Sequence, residues 1–172
     1  MIDLLLYSLL ALAGISIFIN FLRNAFTTKS DLRIKGKLIW VDRGRSTKPF
    51  FNRVFEVLGK PDLMYQVFGG VLAVEYKSRK GPVFKSDVVQ AKCAALAARG
   101  NGYKVIRILL KTATVERYID LPQSDKALFN EIEEFVSLTR QAKSGDKMNA
   151  WPNVGKCRGC AFKYECRYAA EQ

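Results

Sequence analysis

The 172-residue chain contains no histidine. That removes imidazole acid–base chemistry, histidine metal ligands and any Ser-His-Asp triad. Cysteine is scarce, at four residues, and no internal repeat is visible. Acidic side chains are few: 16 Asp and Glu against 28 Lys and Arg leave a formal net charge of +12. Such an excess suits an anionic partner, nucleic acid or a membrane surface; the alternative is solubilising surface charge. Hydrophobic residues make up 49%, which supports a real core, and the length fits one domain.

Charge is missing altogether from Leu4 to Leu22, "LLLYSLLALAGISIFINFL". An apolar run of that length spans a bilayer core at about 1.5 Å per residue. A cleaved signal peptide would carry a basic start and a shorter apolar core. Here Asp3 is the charged residue ahead of the run, which continues through Phe18, Ile19 and Phe21. The expectation is a retained transmembrane anchor over residues 1–22, with a buried core helix as the other option. Arg23, Lys29, Arg33, Lys35 and Lys37 follow the run and no Lys or Arg precedes it. The positive-inside rule then puts the C-terminal domain in the cytoplasm, on a single-pass membrane protein. Thiols there are kept reduced, so metal ligation or burial is favoured over disulfides.

Residues 23–35 read as a polar linker, 36–42 as a strand and 43–53 as a basic loop or short helix. Residues 62–68 form a second strand, which a Gly69-Gly70 turn joins to "VLAVEYK". Ser86 or Asp87 caps a helix over "DVVQAKCAALAA", ended by Gly100. Strands follow at 103–110 and 112–120, then one helix over 125–142 and a polar stretch to 148. This order predicts an α/β fold with a mixed sheet flanked by helices.

Within that frame, Glu75 and Lys77 stand side by side on one face at the end of an apolar strand. Alone, such a pair is a local ion pair or a solvated strand end. However, Pro61-Asp62 opens the preceding strand, and a turn centred between Gly69 and Gly70 puts residue 77 roughly opposite 62. Asp62, Glu75 and Lys77 then converge. Two carboxylates suit a hard divalent cation such as Mg²⁺, and a lysine beside them suits an attacking water or phosphoryl charge. That is the chemistry of phosphodiester hydrolysis. Gln90 is the polar member of a helix face shared with Cys93, Ala94 and Ala97. It is either a partly exposed helix residue or an amide reaching substrate or the lysine.

"GKPDLM", then "VEYKS", then a helix carrying Gln90, resembles the PD-(D/E)XK nuclease superfamily, most nearly its RecB-like branch with the CRISPR-associated Cas-four exonucleases. The resemblance covers about residues 36–170. It implies a restriction-endonuclease-like core over 36–150. It also implies Mg²⁺ or Mn²⁺ on Asp62, Glu75 and the Tyr76 carbonyl, with Lys77 assisting the water. Gln90 matches the glutamine of the branch's Gln-x3-Tyr motif, whose tyrosine is Ala94 here. The histidine that often joins the metal is absent, with Glu56 as a stand-in, and no cysteine precedes Asp62.

"CRGCAFKYEC" in the 151–172 tail spaces Cys157, Cys160 and Cys166 so that two thiolates share one metal or cluster from a tight turn at Gly159. The resemblance implies an iron–sulfur cluster, 4Fe-4S, with zinc or no metal as alternatives. Cys93 is the remaining candidate for a fourth ligand, or a buried small hydrophobe. Phosphate contacts are expected from Arg43, Arg45, Lys48, Lys60, Arg79, Lys80 and Lys85. The sequence thus reads as a membrane-anchored, metal-dependent, exonuclease-like DNA nuclease. The alternatives are a noncatalytic nucleic-acid-binding protein on a degenerate nuclease fold, and a small metal protein.

Overall fold

A computed structural model describes residues 34–148, 152 and 154–169. The expected anchor over 4–22 lies outside these residues, and no helix among them is long and apolar enough to cross a membrane. The chain divides into two compact units, with the boundary between Ile132 and Glu133.

The first unit is built on a five-stranded mixed sheet. Its strands are β1 (Lys37–Val41), β4 (Leu63–Val67), β5 (Gly70–Tyr76), β6 (Val105–Lys111) and β7 (Glu116–Asp120), in the order β1-β4-β5-β6-β7. Only β5 and β6 run parallel, and the helix α1 (Lys85–Arg99) makes the crossover that a parallel pair requires. A separate hairpin pairs β2 (Phe50–Asn52) with β3 (Val57–Gly59). Helix α2 (Asp125–Asn130) starts at Ser124, whose side chain accepts the Ala127 amide at 3.1 Å.

The β4–β5 register sets the geometry of the charged end. Val67 pairs with Gly70 and Leu63 with Val74, so the turn is Phe68-Gly69 and not Gly69-Gly70. Gly69 takes the positive φ of +84° that the tight turn demands. Pairing ends at Leu63 and Val74, and the Asp62 amide also turns to the Val74 carbonyl, so Asp62 lies beside the end of β5 and not opposite Lys77. There its charge acts on Glu75, and the two carboxylates lie together. The other face carries a buried cluster of Tyr65, Leu72, Val74 and Leu109.

Helix α1 is apolar on most sides and packs against β5, β6, the β2–β3 hairpin and α2. Ala91, Ala94, Ala95, Leu96, Ala97 and Ala98 are all buried along it. The short side chains let backbones approach closely. A Cβ on Gly59 would sit 2.9 Å from the Ala94 Cα. The hairpin is then fixed by Asn52, which donates to the Leu96 carbonyl at 3.0 Å and accepts the Val54 and Phe55 amides. These two strands of three residues each are too short to show a sequence period, which is why 43–53 reads as a basic loop or short helix; a single 3-10 turn does form there at Gly44–Ser46.

The helix expected over 125–142 is two helices, because Leu128, Phe129 and Ile132 are buried in the first unit and the chain turns there. Phe129 stacks on Phe55 at 4.8 Å. The second unit contains α3 (Glu133–Lys143) and the short α4 (Val154–Arg158), followed by a run of turns.

At its start, α1 is clamped by Asp87. This buried carboxylate reaches back to accept the Phe84 amide at 2.8 Å and pairs with Arg79, whose guanidinium lies 4.5 Å from the Phe84 ring centre. Burial alone would raise the Asp87 pKa. The Arg79 hydrogen bond and charge, with the Phe84 amide, outweigh it and hold the carboxyl below its ordinary value. Its stabilising contribution is therefore complete above the ordinary aspartate range and is lost as pH falls through the folded value. Asp87→Asn is expected to cost about 1–3 kcal/mol in urea unfolding at neutral pH. The gap from wild type should close on acidification, and a gap that ignores pH would show the clamp is not electrostatic.

Candidate active site

Asp62 is fixed by its backbone on both sides. Its N–H donates to the Val74 carbonyl at 3.0 Å, and its own carbonyl accepts the Asp42 amide at 2.8 Å. The preceding Pro61 is fully buried. The Asp62 carboxylate accepts the Tyr76 amide on Oδ2 at 2.6 Å. Strand β5 delivers Glu75 to the same face, only 4% exposed. Its Oε1 accepts from Lys77 Nζ at 2.9 Å and from Gln90 Nε2 at 2.8 Å. Gln90 Oε1 accepts from Lys77 Nζ at 2.8 Å, which closes a three-membered ring. The first turns of α1 thus bring Gln90 onto the strand pair, and Asp62, Glu75, Lys77 and Gln90 assemble as the sequence suggests.

Burial pushes the Glu75 carboxyl above its ordinary pKa, and the Asp62 charge adds to this. The Lys77 hydrogen bond and charge oppose the rise without cancelling it. Ionised Glu75 is therefore short of positive charge. Each carboxylate also keeps one oxygen, Asp62 Oδ1 and Glu75 Oε2, outside the hydrogen bonds described above. A pair of hard oxygen donors fits Mg²⁺ or Mn²⁺, which accept one or two carboxylates and complete their shells with water and phosphate. Among the described residues no group of three or more Cys, Asp or Glu side chains is placed to hold a metal ion. The carboxylates here number two.

Other expected participants have different surroundings. Lys60 Nζ donates to Asp42 Oδ1 at 2.7 Å, the Gly44 carbonyl at 2.8 Å and the Thr47 carbonyl at 3.4 Å, so its charge braces the basic loop. Arg79 is paired with Asp87. Arg43, Arg45, Lys48, Lys80 and Lys85 are exposed. Glu56 does not join the carboxylates. It sits at φ +50° in the β2–β3 turn, and the adjoining Asn52 packs on Leu96 and Gly100, at the opposite end of α1 from Gln90. Ala94 is buried against Gly59, where a tyrosine ring has no room.

Cys93 is half-buried on α1, and burial raises its thiol pKa. Cys157, Cys160 and Cys166 lie in the second unit, none of them in a disulfide. The Cys160 amide donates to the Cys157 carbonyl at 3.2 Å, and the Cys166 amide to Lys163 at 3.4 Å. They follow one another through tight turns without forming a metal-holding group. A cleft at the far end of the sheet, lined by Arg99, Tyr103, Asp120 and Asp125, is a packing seam. Arg99 donates there to Val105 and Pro122 carbonyls and to Asp125. Sequence reasoning passed over Trp40 and the Asp42–Lys60 brace; the aromatic in an edge strand beside a basic loop was the available signal.

A search of the curated proteins finds no match. The family model of the PD-(D/E)XK nuclease superfamily matches residues 19–167. That span contains Pro61-Asp62, Glu75-Tyr76-Lys77 and Gln90, whose geometry is given above. With its mixed sheet flanked by helices, this chain belongs to the PD-(D/E)XK nuclease superfamily.

Proposed function

We propose that the protein is a metal-dependent DNA nuclease, exonuclease-like, tethered by residues 4–22 to the cytoplasmic side of a membrane. The observation that carries the nuclease reading is the ring of Glu75, Lys77 and Gln90 with Asp62 on the same sheet face. Asp62, Glu75 and the Tyr76 carbonyl hold the metal in this reading. A divalent cation bound there supplies Lewis acidity at the scissile phosphate and makes water a stronger nucleophile. Lys77 uses two of its three N–H bonds on Glu75 and Gln90. The third is left for a phosphoryl oxygen or the attacking water. Gln90 fixes the ammonium and leaves its second amide hydrogen for substrate. Arg43, Arg45, Lys48, Lys80 and Lys85 supply phosphate contacts. The noncatalytic alternative is favoured by two departures, Ala94 in place of the branch's tyrosine and the absence of the histidine that often joins the metal.

Asp62→Asn, Glu75→Gln and Lys77→Ala are each expected to lower Mg²⁺- or Mn²⁺-dependent cleavage of end-labelled DNA by about 100-fold or more. The stability effects should separate them. Glu75 has a raised folded pKa, so its ionised form opposes folding, a cost present above that pKa and relieved as pH falls. Glu75→Gln removes the charge and keeps an acceptor for Lys77, so Tm at neutral pH should hold or rise. Wild type and Lys77→Ala should gain Tm on adding Mg²⁺, and Glu75→Gln should not. Wild-type cleavage rates in all three variants would overturn the active-site assignment.

The tail cysteines and the apolar N-terminal run make a second, separable claim. From the Cys-x2-Cys-x5-Cys spacing alone we infer an iron–sulfur cluster on Cys157, Cys160 and Cys166. Full-length protein purified anaerobically from the membrane fraction should be brown, and Cys157→Ala should bleach it. Deleting residues 1–28 should release a soluble, active domain. Colourless protein with stoichiometric zinc defeats the iron–sulfur assignment, and full-length protein in the soluble fraction defeats the anchor.

A further inference from the structure

A cleft of about 740 Å³ runs along β1, lined by Leu38, Trp40, Val41, Arg43, Thr47 and Lys48 among others. One wall is the outer edge of the sheet, since β1 is its terminal strand. The other is the basic loop. Three observations give it a chemical character. First, β1 is bulged: Leu38 pairs with Tyr65 and Trp40 with Met64, which leaves Ile39 without an opposite residue. The bulge re-aims the strand. Leu38 belongs to the face of the Tyr65 cluster, whereas Trp40 joins the face of Met64, Ala73 and Glu75, the face that carries the carboxylates. There Trp40 is backed by Phe50 at 5.0 Å, and Phe50 in turn by Tyr103 at 5.3 Å.

Second, the loop is shaped from within. The Thr47 hydroxyl accepts the Arg43 amide at 2.8 Å, Asp42 accepts the Gly44 amide at 2.8 Å, and Lys60 draws in the Gly44 and Thr47 carbonyls. These ties consume backbone groups and Lys60, and leave Arg43, Arg45 and Lys48 exposed. Third, the cleft ends at the active site. Val41 pairs with Leu63, and the next residue, Asp42, donates its amide to the Asp62 carbonyl.

From these we infer that the β1 cleft is the track for single-stranded DNA, with a base stacked on Trp40 and the flanking phosphates on Arg43 and Lys48. The inference rests on the nuclease reading and names the form of its substrate. Stacked duplex bases offer no free face to an indole, whereas an unpaired base does, and a positive groove with an aromatic platform is the general solution for single strands. The strand leaves the cleft beside Asp62, which orders binding and cleavage along one path.

The test uses the full-length protein carrying Glu75→Gln to stop cleavage and Trp151→Phe to leave Trp40 as the sole tryptophan. Fluorescein-labelled oligothymidine is the probe. Trp40 emission should be quenched on binding. Trp40→Leu, which keeps apolar bulk against Phe50, should weaken binding about tenfold or more, and Trp40→Phe less. Arg43→Ala with Lys48→Ala should reduce the slope of log affinity against log salt by about 1.4, from about 0.7 per single-strand phosphate. Unquenched emission with unchanged affinity overturns the track, as does equal binding of a duplex of the same length with equal losses in the variants. If Trp40→Leu fails to fold, the quench and the salt slope decide. Cleavage by the Glu75-intact chain is scored separately: cleavage abolished by Lys77→Ala with no Trp40 effect removes the track and leaves the nuclease, whereas absence of any cleavage removes the nuclease reading itself.

Discussion

One oxygen, Oε1 of Glu75, ties the sheet to the helix at the charged end of the fold. It receives Lys77 from its own strand and Gln90 from α1, and those two donors also bond each other. Strand, helix and lysine therefore cannot shift independently. A buried carboxylate is costly unless its charge is compensated. Here one ammonium and one amide compensate it incompletely, since burial still wins in the Glu75 pKa. The second oxygen of Glu75 stays outside these bonds, with Lys77 held beside it.

The neighbouring carboxylate Asp87 is handled in the opposite way. It is also buried, yet Arg79 and the Phe84 amide compensate it fully, and its pKa falls. The two acids, on adjoining elements, thus differ in how far their surroundings meet the charge. Asp87 fixes where α1 begins, and so where Gln90 lies one turn later. Arg79 is drawn into that clamp and so helps to fix the start of the helix. Lys60 serves similarly, by shaping a loop whose exposed cations are its neighbours.

What was legible in the sequence follows from the range of the interactions involved. Strand alternation and helical period are local rules, so the sequence alone brings Asp62, Glu75, Lys77 and Gln90 near one another, on strands and a helix long enough to show a pattern. The β4–β5 register differs from the expected one by two residues because either Phe68-Gly69 or Gly69-Gly70 can make the turn; the pairing of Val67 with Gly70 decides, and Gly69 takes the positive φ. The β2–β3 hairpin was invisible because its strands are held by Asn52 and by contact with α1, which are non-local. The single helix expected over 125–142 broke because Ile132 ends the core of one unit, a fact of tertiary packing. Lys60 and Arg79 read as phosphate contacts because charge alone does not reveal an internal partner. Tail cysteines show spacing in the sequence, and spacing does not say whether the thiols converge.

Close packing at α1 has a consequence for the site. Gly59 and Ala94 bring the hairpin so near the helix that position 94 admits no aromatic ring. An aromatic surface on the face that carries the carboxylates must then come from another element. The bulge in β1 supplies one, by rotating Trp40 out of the opposite core and onto that face. Phe50, carried by the hairpin that excludes a ring from the helix, is the residue that backs it. The small residues of α1 and the large ones beside β1 are thus two parts of one arrangement, in which the hairpin seals the helix with its backbone and braces the indole with its side chain.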